Sequence, residues 1–393
     1  MIERKLLLGD EAIALGAIHA GISGVYAYPG TPSTEITEYI QGHAQEVRSR
    51  WCTNEKTAME AALGMSYAGK RALVCMKHVG MNVAADAFVN SAITGVNGGV
   101  VVLAADDPSM HSSQNEQDSR FYGKFAMIPI LEPSTQQEAY DMMKYAYALS
   151  EEKKLPVLLR VVTRLAHSRA GVVVNDLMPQ NALNPDKERT WVLLPAIARR
   201  QYASLVAKQP DLVESSEHSP YNGMNAFEGK AKLGVIACGI GYNYVMENDP
   251  QSLGIPVLKV SQYPLPEASI KALAAQCESL LVAEDGQPLV EEQVKAILGA
   301  DYALKGRLTG DLPRMGELTP DCVGAALGVN IEQPYTEAQN VMPRPPALCQ
   351  GCGHRDVHDA LNKVAAEYEG ARIFGDIGCY TLGALPPFRA IDS

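Results

Sequence analysis

Apolar positions along this chain follow two alternating patterns. Short, nearly continuous apolar runs recur at Gly24–Tyr28, Arg71–Met76, Gly99–Ala105 and Pro156–Val162. Runs of this length without polar alternation predict strands buried on both faces, as in a parallel sheet. Between them lie segments with apolar residues three and four apart. Asp10 is placed to cap a small-residue helix over Glu11–Ala20. Thr31 stands as N-cap and Pro32 as first residue of the next helix. Asn54–Ala68 carries Ala58, Ala61, Ala62 and Met65 on one stripe, with Gly69 as its stop. A Gly/Asn-containing loop then leads to a helix around Ala84–Ile93. Asp106–Gln117 reads as a polar loop, and Gln136–Ser150 as a helix. Strands separated by helices predict a doubly wound α/β domain over 1–175.

The pattern weakens over 176–230, where Pro, Asn, Gln and charged residues dominate. Pro195–Val206 is the one helix expected in this connector. A second α/β unit spans 231–312. It has strands at Lys232–Cys238, Pro256–Val260 and Ser279–Ala283, and a helix at Val290–Leu298. A further connector covers 313–345. A third unit, 346–393, has a helix at Asp356–Tyr368 and a strand at Arg372–Phe374. With 48 residues it is shorter than the ~100 a doubly wound domain usually needs. The third domain is therefore expected to be incomplete.

Composition narrows the class. Hydrophobic residues make up 47% of the 393 residues, enough for a large core. Lys plus Arg is 34 against 45 Asp plus Glu, a net charge of −11, which argues against a general nucleic-acid or anionic-membrane surface. No apolar run approaches the ~20 residues of a membrane helix, and the N-terminus does not read as a signal peptide. Eight mostly scattered cysteines point to a reducing, cytoplasmic setting rather than a disulfide framework.

Two motifs can be discounted. Gly64–Arg71 imitates a phosphate loop, but Arg71 replaces the Ser or Thr, and the segment ends a helix instead of following a strand. Gly239-Ile-Gly lacks the third glycine of a dinucleotide fingerprint and reads as a tight strand-to-helix turn.

Four constellations carry chemistry. Cys349-Gln-Gly-Cys352 with Cys379 has C-x2-C-x26-C spacing, suited to an incomplete iron–sulfur set or to zinc completed by His354. Unligated cysteines in a glycine-rich loop are the plainer reading. Tyr28-Pro-Gly-Thr31-Pro-Ser33-Thr34 puts a helix start after a strand, where free N–H groups attract a carboxylate or phosphate. An ordinary cap has the same pattern. Glu55 opens an alanine-rich helix, where it can also simply complement the helix dipole. Lys77-His78-Val79-Gly80-Met81-Asn82 follows a buried strand at the edge where open α/β sheets bind ligands. A plain turn is the alternative.

Taken in order, these segments resemble alpha subunits of the indolepyruvate:ferredoxin oxidoreductase family. The match runs through Tyr28–Glu35, Asn54–Ala62, Met76–Asn82, Asp106–Asp118, Gly316–Pro320, Cys349–Cys352 and Gly375–Gly383. It covers essentially the whole chain, and Asp106–Asp118 is its most specific part. The resemblance implies a thiamine-diphosphate enzyme of the 2-oxoacid:ferredoxin oxidoreductase superfamily. Its domains would be a pyrimidine-binding domain at 1–175, a transketolase-C-like domain at 231–312 and the start of a diphosphate-binding domain at 346–393. It also implies a ferredoxin-like tail with [4Fe–4S] clusters and a Mg²⁺-holding segment, both outside these residues.

By the same resemblance, Glu55 would hydrogen-bond the aminopyrimidine ring, favouring the tautomer that takes the thiazolium proton. Thr31 and Ser33 would lie near the substrate carboxylate. His78, Val79, Gly80 and Asn82 would pack on the pyrimidine end, and Gly375, Asp376, Ile377 and Gly378 would form a diphosphate-side loop. Cys349, Cys352 and Cys379 match positions that hold a cluster in related subunits. The implied activity is oxidative decarboxylation of an arylpyruvate to an acyl-coenzyme A, with electrons passed to ferredoxin and a separate beta subunit as partner. Such chemistry serves aromatic amino acid catabolism. The alternatives are a non-oxidative 2-oxoacid decarboxylase, or a chain that needs a partner to complete its site. These 393 residues alone are expected to turn over poorly.

Overall fold

The computed structural model describes residues 3–185, 191–331 and 346–393. The chain divides into two units, Met1–Ile331 and Glu332–Ser393. Part of the 313–345 connector, residues 332–345, lies outside the described residues.

The first unit begins with β1 (Arg4–Leu8), α1 (Gly9–His19), β2 (Gly24–Ala27), α2 (Thr34–His43), β3 (Arg48–Trp51) and α3 (Glu55–Tyr67). It continues through β4 (Ala72–Lys77), α4 (His78–Thr94), β5 (Val100–Asp106), α5 (Arg120–Ala126), β6 (Ile130–Leu131) and α6 (Gln136–Lys153). Next come β7 (Val157–Val162), α7 (Thr163–His167) and β8 (Arg169–Val173). Two helices, α8 (Pro195–Ala207) and α9 (Gln209–Glu217), and the short β9 (Gly223–Met224) occupy the first connector. The remainder is β10 (Ala231–Cys238), α10 (Gly241–Met246), β11 (Val257–Val260), β12 (Gln262–Tyr263), α11 (Glu267–Gln276), β13 (Cys277–Ala283), α12 (Leu289–Leu298), β14 (Ala303–Lys305) and α13 (Pro320–Ala326).

These strands form a seven-stranded sheet of order β12-β6-β7-β5-β4-β2-β3, a five-stranded sheet of order β14-β13-β10-β11-β9, and the pair β1-β8. The pairs from β6 to β3 in the large sheet are parallel. β12 adds antiparallel to β6, so the second α/β region contributes an edge strand to the first sheet. Central strands β4, β5 and β7 are buried along their whole length. That explains their uninterrupted apolar sequence, since helices cover both faces. Each fully buried Val or Leu there contributes roughly 1.5–3 kcal/mol. The expected parallel, mixed α/β architecture is what the chain forms.

Several local expectations are corrected. Asp10 does not cap α1: the N-cap is Leu8, whose N–H bonds Glu11 Oε2 at 2.8 Å, while Asp10 sits inside the first turn. Thr31 and Pro32 do not start α2. The Ser33 N–H bonds the Gly30 carbonyl at 2.9 Å, closing a turn that uses up these residues, and the helix begins at Thr34. The segment 78–82 is not a loop, because α4 starts at His78 directly from the end of β4. In the second unit a helix α14 (Gly353–Ala365) forms, but Arg372–Phe374 is not a strand. It makes two local backbone bonds to the chain end, Asp392 N–H to the Ile373 carbonyl and Gly375 N–H to the Ser393 carbonyl. No described strand of that unit lies beside it to complete a ladder.

A buried ion network joins the two sheets of the first unit. Arg120, Arg160 and Arg307 are among its largest fully buried side chains. Arg160 on β7 bonds Asp106 on β5 at 2.6 Å, the Asp285 carbonyl at 2.7 Å, and Glu132. Arg120 bonds Asp118 at 2.5 Å and reaches Glu284 at 3.0 Å. Arg307 bonds Asp285 at 3.2 Å and the Glu284 carbonyl at 2.9 Å. Tyr263 of β12 donates to Glu132 at 2.7 Å. Burial pushes the Glu284 carboxyl up to about 7 and Asp285 up to about 6, with the arginines pulling the other way. Buried charge of this kind persists only when paired and fully hydrogen-bonded.

Candidate active site

The carboxyl ends of β2, β3, β4 and β5 lie side by side, and the segments that follow them converge there. After β3, Asn54 caps α3 by accepting the Thr57 N–H at 2.9 Å and the Thr57 hydroxyl at 3.0 Å. This fixes Glu55 as the first helical residue, buried to 8% exposure although it opens a surface helix. After β4, α4 brings Gly80 against it. A Cβ at residue 80 would stand 2.6 Å from both Glu55 Cγ and Oε1. Gly80 is thus the residue that lets the carboxylate lie on the first turn of α4. Val79 is half-buried and Asn82 exposed, with the Tyr122 hydroxyl donating to Asn82 Oδ1.

After β2, the Gly30–Ser33 turn is closed by the Ser33 hydroxyl donating to the Gly30 carbonyl at 2.9 Å. The Gly30 N–H donates to Thr34 Oγ1 at 3.0 Å. Ser33 is therefore a buried structural hydroxyl at 1% exposure, whereas Thr31 is exposed at the turn tip. Gly30 packs on Lys77, where a Cβ would come within 3.1 Å of the lysine Cβ. One patch of neighbouring strand ends thus carries Thr31, Glu55, His78 and Gly80.

After β5, the loop 107–118 folds over the start of α4. The Lys77 ammonium donates to the Ser112 carbonyl at 2.7 Å, and His78 Nε2 lies 3.3 Å from Ser113 Oγ. Asp107 organises the loop from beneath. It accepts the Ser112 N–H at 2.8 Å, the Ser113 hydroxyl at 2.5 Å and the Thr163 hydroxyl at 2.7 Å. Although burial raises it, these donors hold its carboxyl below the usual carboxylate range. Burial, with Lys77 adding, pushes His78 down to about 4, so its imidazole is neutral at pH 7. The segment 316–320 docks on the same loop. Glu116 Oε2 accepts both the Ser109 N–H at 3.1 Å and the Gly316 N–H at 3.2 Å, and the Glu317 N–H donates to Ser109 Oγ at 2.8 Å. Sequence reasoning singled out both segments but not Asp107, Ser113 or Glu116. Their roles depend on contacts across the fold; the one local signal was the polar density of 106–118.

In the second unit, Cys349 and Cys379 are exposed and Cys352 is half-buried, with its Sγ 3.3 Å from His354 Nδ1. Gly351 takes a φ of +73°, the left-handed conformation expected between the paired cysteines. The three sulfurs are not all within 4.8 Å of one another, the spacing that one shared ion requires. Gly375, Asp376, Ile377 and Gly378 form an exposed loop, tied by the Ile377 N–H to Asp376 Oδ1 at 2.8 Å. A cavity of about 700 Å³ lies between this segment and α14, lined by Cys352, His354, His358, Phe374 and Tyr380 among others.

Fold and edge together define an α/β protein of the thiamine-diphosphate-binding kind. The family model described as pyruvate flavodoxin/ferredoxin oxidoreductase, thiamine-diphosphate-binding, matches residues 15–210. The chain belongs to the 2-oxoacid:ferredoxin oxidoreductase superfamily. More particularly, it is 41% identical over 99% of its length to indolepyruvate oxidoreductase subunit IorA of Archaeoglobus fulgidus. It is equally identical, over its full length, to the subunit of that name from Pyrococcus abyssi. It spans 66% and 64% of those two proteins. A solved 2-oxoglutarate:ferredoxin oxidoreductase from Magnetococcus marinus shares the fold over 83% of this chain and 65% of that one, with a TM-score of 0.69 at 17% identity. A split-gene transketolase shares it over 82% of this chain and 97% of its own, with a TM-score of 0.54 at 15% identity. No described helix is long and apolar enough to cross a membrane.

Proposed function

We propose that this chain is the pyrimidine-binding part of an indolepyruvate:ferredoxin oxidoreductase. In this reading it acts with a beta subunit to convert an arylpyruvate and coenzyme A to an aryl-acyl-coenzyme A and carbon dioxide, with two one-electron equivalents delivered to ferredoxin. The observation that carries the reading is Glu55, buried at a strand-end edge and seated on Gly80. The 41% identity to IorA subunits over the whole chain supports the same reading.

When bound, thiamine diphosphate supplies the carbon nucleophile and electron sink that decarboxylation needs. The chain's own residues would hold it. Glu55 offers a carboxylate oxygen to the aminopyrimidine nitrogen and holds a proton there. Gly80 would keep the Glu55 carboxylate in place for the ring, and Val79 and Asn82 would help to hold it. His78, kept neutral, presents no charge to the ring and anchors the 107–118 loop that borders the edge. Thr31, at the exposed tip of its turn, offers a hydroxyl to the substrate carboxylate. Gly375–Gly378 is assigned to the diphosphate, with Mg²⁺ and the [4Fe–4S] clusters held largely by other parts of the enzyme. Cys349, Cys352 and Cys379 would be the chain's own candidates to hold a cluster.

The test is indolepyruvate-dependent ferredoxin reduction by the complete enzyme purified anaerobically with its partner, compared with Glu55→Gln. Loss of a proton-holding carboxylate should lower the rate roughly 10²–10⁴-fold. Aldehyde release without coenzyme A or ferredoxin would instead establish a non-oxidative decarboxylase. An unchanged rate in Glu55→Gln would refute the assignment of the site.

A further inference from the structure

Asp10, Glu35 and His167 lie at one point of the first unit, apart from the residues assigned to the cofactor. Asp10 is in the first turn of α1, Glu35 in the first turn of α2, and His167 is the last residue of α7. α1 packs against both of the other helices. One donor atom from each residue lies within 4.8 Å of the other two. His167 Nε2 is 3.7 Å from Glu35 Oε1.

Asp10 is fully buried, and neither of its carboxylate oxygens has a hydrogen-bond partner. Glu35 Oε2 is buried and equally unpartnered. Arg169, two residues from His167, is paired with Glu11 at 3.1 Å. An unpaired buried carboxylate is costly, so something must compensate it. Protonation is one remedy. A proton on Asp10, however, would still leave its other oxygen without a donor. A cation would satisfy the Asp10 carboxylate and the unpartnered Glu35 Oε2 at once.

We propose that Asp10, Glu35 and His167 form a site for a divalent transition-metal ion such as Zn²⁺, Mn²⁺ or Fe²⁺. Two carboxylate oxygens and one imidazole nitrogen match that class, and the imidazole disfavours Mg²⁺ and Ca²⁺. Three donors leave positions open for water. Bound there, the ion ties the starts of α1 and α2 to the end of α7. The start of α2 carries the Gly30–Ser33 turn, so the ion steadies that turn as well.

The probe is Zn²⁺. Full-length protein, stripped with a chelator, is dialysed against zinc and its metal content measured, for the wild type, Asp10→Asn and His167→Ala. His167 is exposed, so its variant reports on the site even if Asp10→Asn folds poorly. The expected result is one equivalent fewer in each variant, or at least tenfold weaker binding of that equivalent, with cysteine-bound zinc equal in all three. A zinc-dependent rise in thermal midpoint should appear in the wild type and shrink in both variants. Equal stoichiometry and affinity in the three proteins overturns the proposal. So does loss in Asp10→Asn alone with His167→Ala unchanged, or a wild type that binds no zinc beyond its cysteines.

Discussion

Glu55 and Gly80 are packed so closely that a Cβ on residue 80 would lie 2.6 Å from the Glu55 carboxylate oxygen. The two residues come from different helices, each starting at a strand end. Gly80→Ala therefore displaces Glu55. In a helix, alanine is favoured over glycine by roughly 0.5–1 kcal/mol, so the backbone itself gains. The variant should keep its thermal stability yet bind thiamine diphosphate at least about tenfold more weakly, a loss of roughly 1.4 kcal/mol. Calorimetric titration of the cofactor checks this; unchanged affinity would show that the position of Glu55 does not matter.

Removing the centre of the buried ion network should be severe. Arg160→Met leaves Asp106, Glu132 and the Asp285 carbonyl without their shared donor. Uncompensated buried charge typically costs about 3–5 kcal/mol. The loss should appear in denaturant unfolding of the purified chain. It should affect both sheets together, since the network spans them.

His78 sets a pH dependence. Its folded value of about 4 lies below the ordinary histidine value. Between the two, the unfolded chain binds a proton that the folded chain does not. Stability from this group is therefore complete above the ordinary histidine value and declines as the pH falls toward 4. The effect should be on the order of 1–3 kcal/mol after allowance for partial solvent screening. Unfolding curves at pH 7 and pH 5 for wild type and His78→Gln give the comparison. The wild type should lose more stability on acidification than the variant does.

Asp107 should govern the loop over the site. Asp107→Asn weakens the bonds from the Ser112 N–H and from the Ser113 and Thr163 hydroxyls. Local opening should become easier by about 1–3 kcal/mol. Hydrogen exchange should quicken across residues 108–117 while the strands β4 and β5 remain protected.

Much of the framework was legible because burial on both faces writes itself into sequence as unbroken apolar runs. Val100–Asp106 and Val157–Val162 are such strands, and both were read within a residue or two. The short β3, Arg-Ser-Arg-Trp, was not read, because it is an exposed edge strand with no apolar run. The helix starts at Asp10 and Thr31 were misplaced for a related reason. Ser, Thr and Asp suit caps, but backbone bonds to Glu11 and Gly30 decided which residue served.

The site divides in the same way. Residue type and order along the chain singled out Thr31, His78 and Gly80 as candidates, because helix starts after buried strands are where open α/β sheets bind ligands, while Glu55 stood out through the family resemblance. Only the tertiary structure set Glu55 on Gly80, placed Asp107 under its loop, and brought Asp10, Glu35 and His167 together. Glu55 with Gly80, Asp107 with Thr163, and the Asp10, Glu35 and His167 cluster are contacts between elements separated by tens of residues. Local periodicity records which face of an element is buried. It does not record which side chain from a distant element will meet that face.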